Sequence, residues 1–191
     1  MADCSEGIAK NVISTCLTQP IAGVEVKAWV GNRLEAGFTY DVTNTSKITD
    51  IQVILTKKLY TMTGVKKLLN PGSSLITAPD RGNRYTHKFN FQGFEFTCAD
   101  VENITALADL FIVVEMIDKI AGGDGTFRAF GVQNGLYQTS SEWTANDIDG
   151  AIAIEMASEE GAAEKWPWYT VLATDYATTL AMLVAQEAVQ V

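Results

Sequence analysis

The stretch TCADVENITALADLFIVVEMI (residues 97–117) predicts the centre of the fold, because a short helix in it runs directly into a strand. Thr97 is a good helix-capping residue, and apolar side chains recur at a spacing of three over Val101–Leu110. Residues 111–117 are almost continuously β-branched, aromatic or otherwise apolar, which is typical of a well-buried strand. We therefore expect one helix, ending near residue 110, followed by a strand.

Strand patterns dominate the sequence on both sides of this stretch. Apolar residues alternate with other residues over Val24–Val30, which indicates a half-buried strand, and aromatic residues alternate with polar ones over Arg84–Phe96. Asn134-Gly135 is typical either of a tight hairpin turn or of a bulge. Thr174-Asp175 is expected to cap a C-terminal helix. Further strands are predicted at residues 36–42, 48–55, 59–65, 126–130 and 151–156.

The order of these elements predicts the fold class and the domain organisation. A chain of 191 residues fits one domain, residues 1–191, with a substantial core. Strands and helices do not alternate regularly, so we expect a mainly β fold: an antiparallel β-sandwich or partial barrel with one central helix, a long arm and a C-terminal helix. Residues 1–20 are expected to form an N-terminal arm or short helix, residues 66–83 a projecting arm or hairpin extension, and residues 166–191 a C-terminal extension.

Charge is unevenly distributed along the chain, which has a formal net charge of −9. Residues 57–88, the basic lobe, contain seven basic residues against one acid, Asp80. Residues 140–164, the acidic lobe, contain seven acids and no base. Copies of such a chain can pair head to tail, although two separately solvated surfaces give the same pattern. The candidate inter-subunit contact residues are the basic Lys66, Lys67, Arg81 and Arg84, the apolar Leu68 and Leu69, and the acidic Glu142, Asp147 and Asp149.

Residue patterns that carry catalysis or bind metals are missing from the sequence. His87 is the single histidine, and it falls on the alternating aromatic face, where a structural role is favoured over a catalytic one. Three cysteines at unrelated spacings give no zinc pattern, and no Gly-x-Ser-x-Gly motif supplies a nucleophilic serine. A calcium loop around residues 147–150 would place Ala145 and Met156 at ligand positions, so it fails. The sequence therefore predicts no enzyme, no metal and no cofactor.

Composition also limits the partners that we expect. A strongly acidic chain repels phosphate, so specific binding of nucleic acid is not expected. No apolar run approaches the roughly 18 residues that span a bilayer, so no membrane partner is expected. The aromatic cluster at residues 166–169 (Trp-Pro-Trp-Tyr) is interpreted either as a sugar-stacking platform or as an apolar plug or subunit contact.

Taken together, these features resemble the major tail tube proteins of tailed bacteriophages, whose β-rich fold also occurs in the tubes of contractile injection systems. The resemblance covers about residues 20–160 and lies in the order and kind of the elements, without an invariant motif. The features that carry it are the early strand Val24–Val30, the arm Lys66–Asn83, the helix Asp100–Leu110 with the following Phe111–Ile117, and the later pair Phe127–Thr139 and Ala151–Ala157 around an acidic loop.

The resemblance implies a structural virion protein that forms rings of six subunits, stacked into a tail tube. Its partners would be copies of itself, other tail proteins, and DNA that passes through the lumen without specific binding. Its place would be the virion tail, after assembly in the host cytoplasm. The acidic composition fits a channel wall that repels phosphate.

Two alternatives from other classes stay open at this point. One is a β-sandwich binding module, such as a capsid decoration or adhesin-like domain, in which Trp166, Trp168 and Tyr169 would recognise a glycan or a partner. The other is an enzyme that lacks a recognisable motif. Rings or tubes in electron micrographs would favour the tube protein, and isolated globules would favour the binding module.

Overall fold

The computed structural model describes residues 23–63, 68–78, 82–93, 98–119, 123–143 and 151–188. The expected N-terminal arm or helix (residues 1–20) and the predicted helix cap Thr97 lie outside these residues. The described strands are β1 (Val24–Asn32), β2 (Ala36–Tyr40), β3 (Lys47–Val53), β4 (Tyr60–Thr63), β5 (Leu69–Ala78), β6 (Gly82–Gly93), β7 (Leu110–Met116), β8 (Phe127–Phe130), β9 (Tyr137–Trp143), β10 (Ile152–Ala157) and β11 (Tyr169–Val171). The described helices are α1 (Cys98–Thr105) and α2 (Tyr176–Ala185), with a 3-10 turn at Arg33–Glu35.

The strands form two open sheets, and the predicted mainly β sandwich is confirmed. The large sheet has seven strands in the order β2-β3-β11-β8-β7-β1-β4, and the small sheet has four in the order β5-β6-β10-β9. Neighbouring strands run antiparallel, apart from the parallel pair β11 and β3. Apolar side chains from both sheets meet in one cluster between them. Neither sheet closes into a barrel within the described part of the chain.

The middle strands β1 and β7 of the large sheet are buried on both faces, so the described residues form two cores. In the first core, Ala28 and Ile112 of the large sheet pack with Phe89 of the small sheet. In the second core, on the opposite face, Trp29 of the large sheet packs with Leu183 of α2. The predicted C-terminal helix therefore covers the face of the large sheet that the small sheet leaves open.

The helix and the strand predicted within residues 97–117 correspond to α1 and β7. Residues 110–115 of β7 are buried, which confirms the predicted strand. The helix is shorter than predicted, because α1 ends at Thr105. Asp109 adopts a φ of 51°, and its carbonyl oxygen accepts a hydrogen bond of 2.9 Å from the backbone N–H of Arg33. This turn lies between the end of α1 and the start of β7, and it leads the chain into the strand.

Strand β1 is confirmed, but the prediction that it is half-buried is wrong. Its residues from Ala28 to Gly31 are all buried, because β1 lies inside the large sheet between β4 and β7 with a core on each face. Val26, which shares the alternating pattern, is exposed. The register of β1 against β7 shifts between Val24 and Ala28, and this irregularity takes Val26 out of the core.

The expected arm at residues 66–83 contains a ten-residue strand, β5, which forms a long hairpin with β6. Pro71 is compatible with this strand because β5 lies at the edge of the small sheet. Leu69 is buried in the first core, so the base of this segment does not project from the fold. Toward the hairpin tip, Leu75 and Ile76 are exposed. The segment is therefore part of the sandwich at its base and a surface feature at its tip.

Two predictions near the C-terminal half have different outcomes. The side chain of Asp175 accepts a hydrogen bond of 2.8 Å from the backbone N–H of Thr178, which confirms the capped helix. A hairpin at Asn134-Gly135 is wrong, because β8 and β9 on either side belong to different sheets. Residues 131–136 instead carry the chain from the large sheet to the small one. Gly135 has a φ of 75°, and a Cβ atom there would lie 2.2 Å from Oδ1 of Asp109.

Candidate functional site

The candidate site is formed by the two ends of the small sheet, where four of the proposed contact residues can be placed. Leu68, Leu69, Arg84 and Glu142 belong to the described residues. Leu69 is buried in the chain's own core, so it is not available to a neighbouring subunit. Leu68 is half-buried, and its carbonyl oxygen accepts a 3.2 Å hydrogen bond from the backbone N–H of Gln92. The predicted contacts Lys66, Lys67, Arg81, Asp147 and Asp149 lie outside the described residues.

Arg84 and Glu142 are exposed at opposite ends of the small sheet. Glu142 on β9 stands opposite Ala153 of β10, which in turn stands opposite Gln92 of β6. Arg84 lies eight residues before Gln92 on β6, a distance of about 26 Å at about 3.3 Å per residue. One chain therefore cannot join its own Arg84 to its own Glu142, whereas two copies placed end to end can.

Exposed apolar side chains accompany the charges at both ends. At the basic end, Leu75 on β5 is 51% exposed and the neighbouring Ile76 is 38% exposed. At the acidic end, Trp143 is 62% exposed. Leu75 pairs with Tyr85 and Trp143 pairs with Ile152, so both side chains lie on the inner face of the small sheet but beyond its packed middle. Large apolar side chains left in this way are typical of contact surfaces.

The long edges of the small sheet are also open within the described part of the chain. β5 and β9 are its outermost strands, so each has one side without a neighbouring strand. Open edges present unpaired backbone N–H and C=O groups, to which a strand of another chain can add. The described residues of β9 from Thr139 to Trp143 are exposed.

His87 is fully buried, and both of its ring nitrogens have hydrogen-bond partners, which agrees with the structural role predicted for it. Its Nδ1 accepts a 3.0 Å hydrogen bond from the backbone N–H of Gly131, and its Nε2 lies 2.8 Å from the carbonyl oxygen of Trp166. Because Nδ1 accepts, Nε2 carries the proton and donates it to that carbonyl. Burial lowers the pKa of His87, which favours the neutral ring. The histidine therefore joins three segments of the fold and faces no open cleft.

Glu164, one of the seven acids of the acidic lobe, is a buried carboxylate. Its Oε1 accepts 3.0 Å hydrogen bonds from the backbone N–H groups of Gln133 and Asn134, and its Oε2 accepts one of 3.3 Å from the Tyr169 hydroxyl. Burial and the nearby Glu164 charge raise the pKa of Tyr169, so this hydroxyl stays a donor. Glu164 holds the crossover at residues 131–136 and is not part of the exposed acidic surface. No local pattern in the sequence distinguishes it from Glu159 or Glu160.

The aromatic cluster at residues 166–169 does not form one platform. Tyr169 is fully buried, and Trp166 packs against the second core. Trp168 is 38% exposed, and the guanidinium carbon of Arg128 lies 4.4 Å from its ring centre. The idea that Trp166, Trp168 and Tyr169 together recognise a glycan is therefore wrong for Tyr169, and it leaves Trp168 as the exposed ring.

The described residues contain no metal site and no membrane-spanning helix, and they line one open polar groove. No group of three or more histidine, cysteine, aspartate or glutamate side chains converges there as a metal ligand set. No helix in the described ranges has the length and apolarity needed to cross a membrane. An open groove of about 350 Å³ lies between residues 105–107 and β9, and its lining is mostly hydroxyl and amide side chains.

Comparisons with known proteins add no relative. No family model matches the chain, and neither the curated proteins nor the solved structures contain a match to it.

Proposed function

We propose that this protein is a structural subunit that assembles with copies of itself into rings, which stack into a tube of the kind found in phage tails. The observation that carries the proposal is the placement of Arg84 and Glu142 at opposite ends of one sheet, each beside exposed apolar side chains. Arg84 of one copy can meet Glu142 of another at this sheet only through a head-to-tail contact.

A head-to-tail contact leaves Arg84 free on one outer subunit and Glu142 free on the other after every addition. Assembly therefore continues until the rotation between subunits closes a ring, or it grows into a filament. The ring of six, the passage of DNA, the tail partners and the virion location belong to this proposal through the resemblance to tail tube proteins. The net charge of −9 supports a channel that DNA crosses without binding.

The strength of such a contact comes from repetition and from apolar burial. Exposed ion pairs contribute at most about 1 kcal/mol each, so a single Arg84–Glu142 pair would not hold two subunits together. Leu75, Ile76 and Trp143 supply apolar surface at the same two ends. Apolar burial contributes roughly 25 cal/mol per Å², and charge complementarity then selects the head-to-tail orientation.

Negative-stain electron microscopy and light scattering over a concentration series test the proposal. We expect rings or tubes at high concentration and smaller species on dilution. Raising the salt from about 0.1 M to about 1 M shortens the Debye length from about 10 Å to about 3 Å, so assembly should weaken if charge orients the contact. A strict monomer at every concentration and at both salt levels would contradict the proposal.

Charge variants with matched controls show whether the ends of the small sheet carry the contact. Arg84→Glu and Glu142→Lys should each reduce assembly. Lys58→Glu and Asp124→Lys make the same kinds of charge change at exposed positions that belong to neither end of the small sheet, so they should leave assembly unchanged. Equal effects of the variants and of their controls would show that net charge, and not this surface, governs assembly.

A further inference from the structure

Arg128 on β8 is a half-buried arginine that forms no ion pair with a carboxylate of the described residues. Its Nε donates a long hydrogen bond of 3.4 Å to the carbonyl oxygen of Gly125, and no carboxylate forms an ion pair with it among the residues that the structure describes. Burial lowers the pKa of Arg128, and the charge of Asp118 opposes this only in part. The Nη donors of Arg128 are thus partly buried and have no protein acceptor among the described residues.

The surroundings of Arg128 give it a fixed orientation. The guanidinium carbon lies 4.4 Å from the ring centre of Trp168, which is within the range of a cation–π contact. Thr170 stands directly opposite Arg128 in the register of β11 and β8. Tyr169 points into the second core, so Trp168 and Thr170 on either side of it face the same way as Arg128. The three side chains form one surface: a planar donor fork, an aromatic wall and a hydroxyl.

This surface fits a carboxylate. A guanidinium offers parallel N–H donors that match the two oxygens of a carboxylate or a phosphate, and its weak hydration favours such pairing in partly buried settings. The chain's net charge of −9 disfavours a phosphate polymer as the partner. Copies of the same chain, by contrast, bring carboxylates at high local concentration when they assemble.

The acidic lobe offers a suitable carboxylate at the turn after β10. Glu159 and Glu160 are adjacent and exposed there, and no described base forms an ion pair with either of them. Glu164 of the same lobe is buried and fully engaged, so it cannot serve.

We propose that Arg128, Trp168 and Thr170 form a carboxylate-binding site for the Glu159–Glu160 turn of a second copy of this chain. The inference rests on the proposed self-assembly and names a second contact for it. The site lies on the large sheet, whereas Arg84 and Glu142 lie on the small sheet. A tube needs contacts within a ring and contacts between rings, and two separate surfaces of the subunit supply both.

A peptide that copies residues 157–162 (ASEEGA), acetylated and amidated at its ends and carrying a fluorescent label, tests the site without assembly. Its binding to dilute protein is followed by fluorescence anisotropy. We expect binding that weakens by about tenfold or more with Arg128→Gln, because a charge-assisted pair is lost, and by a smaller factor with Arg128→Lys, which keeps the charge but not the fork. The peptide with both glutamates replaced by glutamine should not bind.

Two competitors decide the chemistry of the ligand. Inorganic phosphate and a single-stranded oligonucleotide are each titrated against the bound peptide. The proposal expects weaker competition from both than from the unlabelled peptide. Stronger binding of phosphate or of the oligonucleotide would overturn the assignment to a carboxylate of a second copy, and equal binding of the peptide to wild type and Arg128→Gln would overturn the site.

Light scattering of the variants separates this inference from the proposed function. Arg128→Gln and the double variant Glu159→Gln/Glu160→Gln should each reduce assembly, and combining all three changes should add little, because both remove the same contact. Circular dichroism confirms that each variant is folded, and Arg128→Lys replaces Arg128→Gln if the latter unfolds. Normal assembly of these variants overturns the inference and leaves the proposed function standing. A wild-type protein that never assembles overturns the proposed function, and the peptide titration still decides the site.

Discussion

The two sheets of this protein differ in what their side chains are used for. The large sheet is covered on one face by the small sheet and on the other by α2, so that consecutive residues of β7 are all buried. The small sheet is covered on one face, and its two ends carry exposed charged and apolar side chains. Stability therefore resides mainly in the large sheet, and the surface available for partners lies mainly on the small sheet.

The sharpest way to break this comparison is to make the same change in both sheets. Trp29 on β1 is fully buried, whereas Trp143 on β9 is 62% exposed. Trp29→Ala should lower the free energy of unfolding by about 3–5 kcal/mol, because it leaves a large cavity in the second core. Trp143→Ala should change it by less than about 0.5 kcal/mol. Denaturant unfolding of both variants measures the difference, and similar losses would show that the two sheets share the stability.

The buried carboxylate gives a second, smaller test. Glu164→Gln keeps the side-chain volume but replaces one carboxylate oxygen with an amide N–H₂ group. The backbone N–H groups and the Tyr169 hydroxyl that donate to two oxygens in the wild type then have a single oxygen as acceptor. The free energy of unfolding should fall by about 1–3 kcal/mol, since a buried donor loses its acceptor. Glu160→Gln is the matched control at an exposed position, and it should have almost no effect. A stable Glu164→Gln variant would mean that the crossover at residues 131–136 is held by other contacts.

The pH dependence of stability follows from His87, the single histidine. Burial lowers the pKa of His87 in the folded state below its ordinary value of 6.5. Between those two values the unfolded chain binds a proton that the folded chain does not, so stability is full above about pH 6.5 and falls as the pH decreases below it. Thermal unfolding between about pH 7 and pH 5 measures this slope. His87→Gln should flatten it, and an unchanged slope in that variant would assign the effect to the carboxylates.

The smallest effects on stability are expected at the tip of the β5–β6 hairpin. Leu75→Ser should change the free energy of unfolding by less than about 0.5 kcal/mol, because the side chain is already half exposed, but it should reduce assembly. Leu69→Ser in the same strand should instead destabilise the fold, since Leu69 lies in the first core. Deleting all of residues 66–83 would remove β5 as a whole, so it should destabilise the sandwich and is a poor test of assembly. A clear loss of stability in Leu75→Ser would show that the core extends to the tip of the hairpin.

Elements with strong local patterns could be predicted from the sequence. The apolar run at residues 111–117 predicted β7, and the capping residue Asp175 predicted α2. A buried strand and a helix cap each have a recognisable local sequence pattern. The prediction for β1 failed in its burial, since alternation of Val and Ala residues does not reveal that Trp29 is covered by a helix more than 140 residues away. Burial on the second face depends on α2, which the local sequence of β1 cannot show.

The candidate site divides in the same way. The opposite charges of the basic and acidic lobes were visible in the sequence, whereas the placement of Arg84 and Glu142 at opposite ends of one sheet depends on the pairing of β6 with β10 and of β10 with β9. Residues 66–83 were expected to project as an arm or hairpin extension, but β5 forms there because Pro71 is compatible with a strand at a sheet edge. Glu164 and Arg128 were missed as special positions, because the burial of each is produced by distant segments and leaves no mark in the adjacent residues.

The central claim, a head-to-tail contact between the two charged ends, is tested most directly by mixing two variants. In the first variant Arg84 is changed to glutamate, so an acid stands at each of the two positions. In the second variant Glu142 is changed to lysine, so a base stands at each of the two positions.

Light scattering and negative-stain microscopy of each variant alone and of the equimolar mixture give the result. Like-charged ends repel, so each variant alone should stay dispersed at about 0.1 M salt, and the mixture should form particles in which the two variants alternate. Assembly of either variant alone, or a mixture that stays dispersed although the wild type assembles, would contradict the head-to-tail contact and favour apolar packing through Leu75, Ile76 and Trp143.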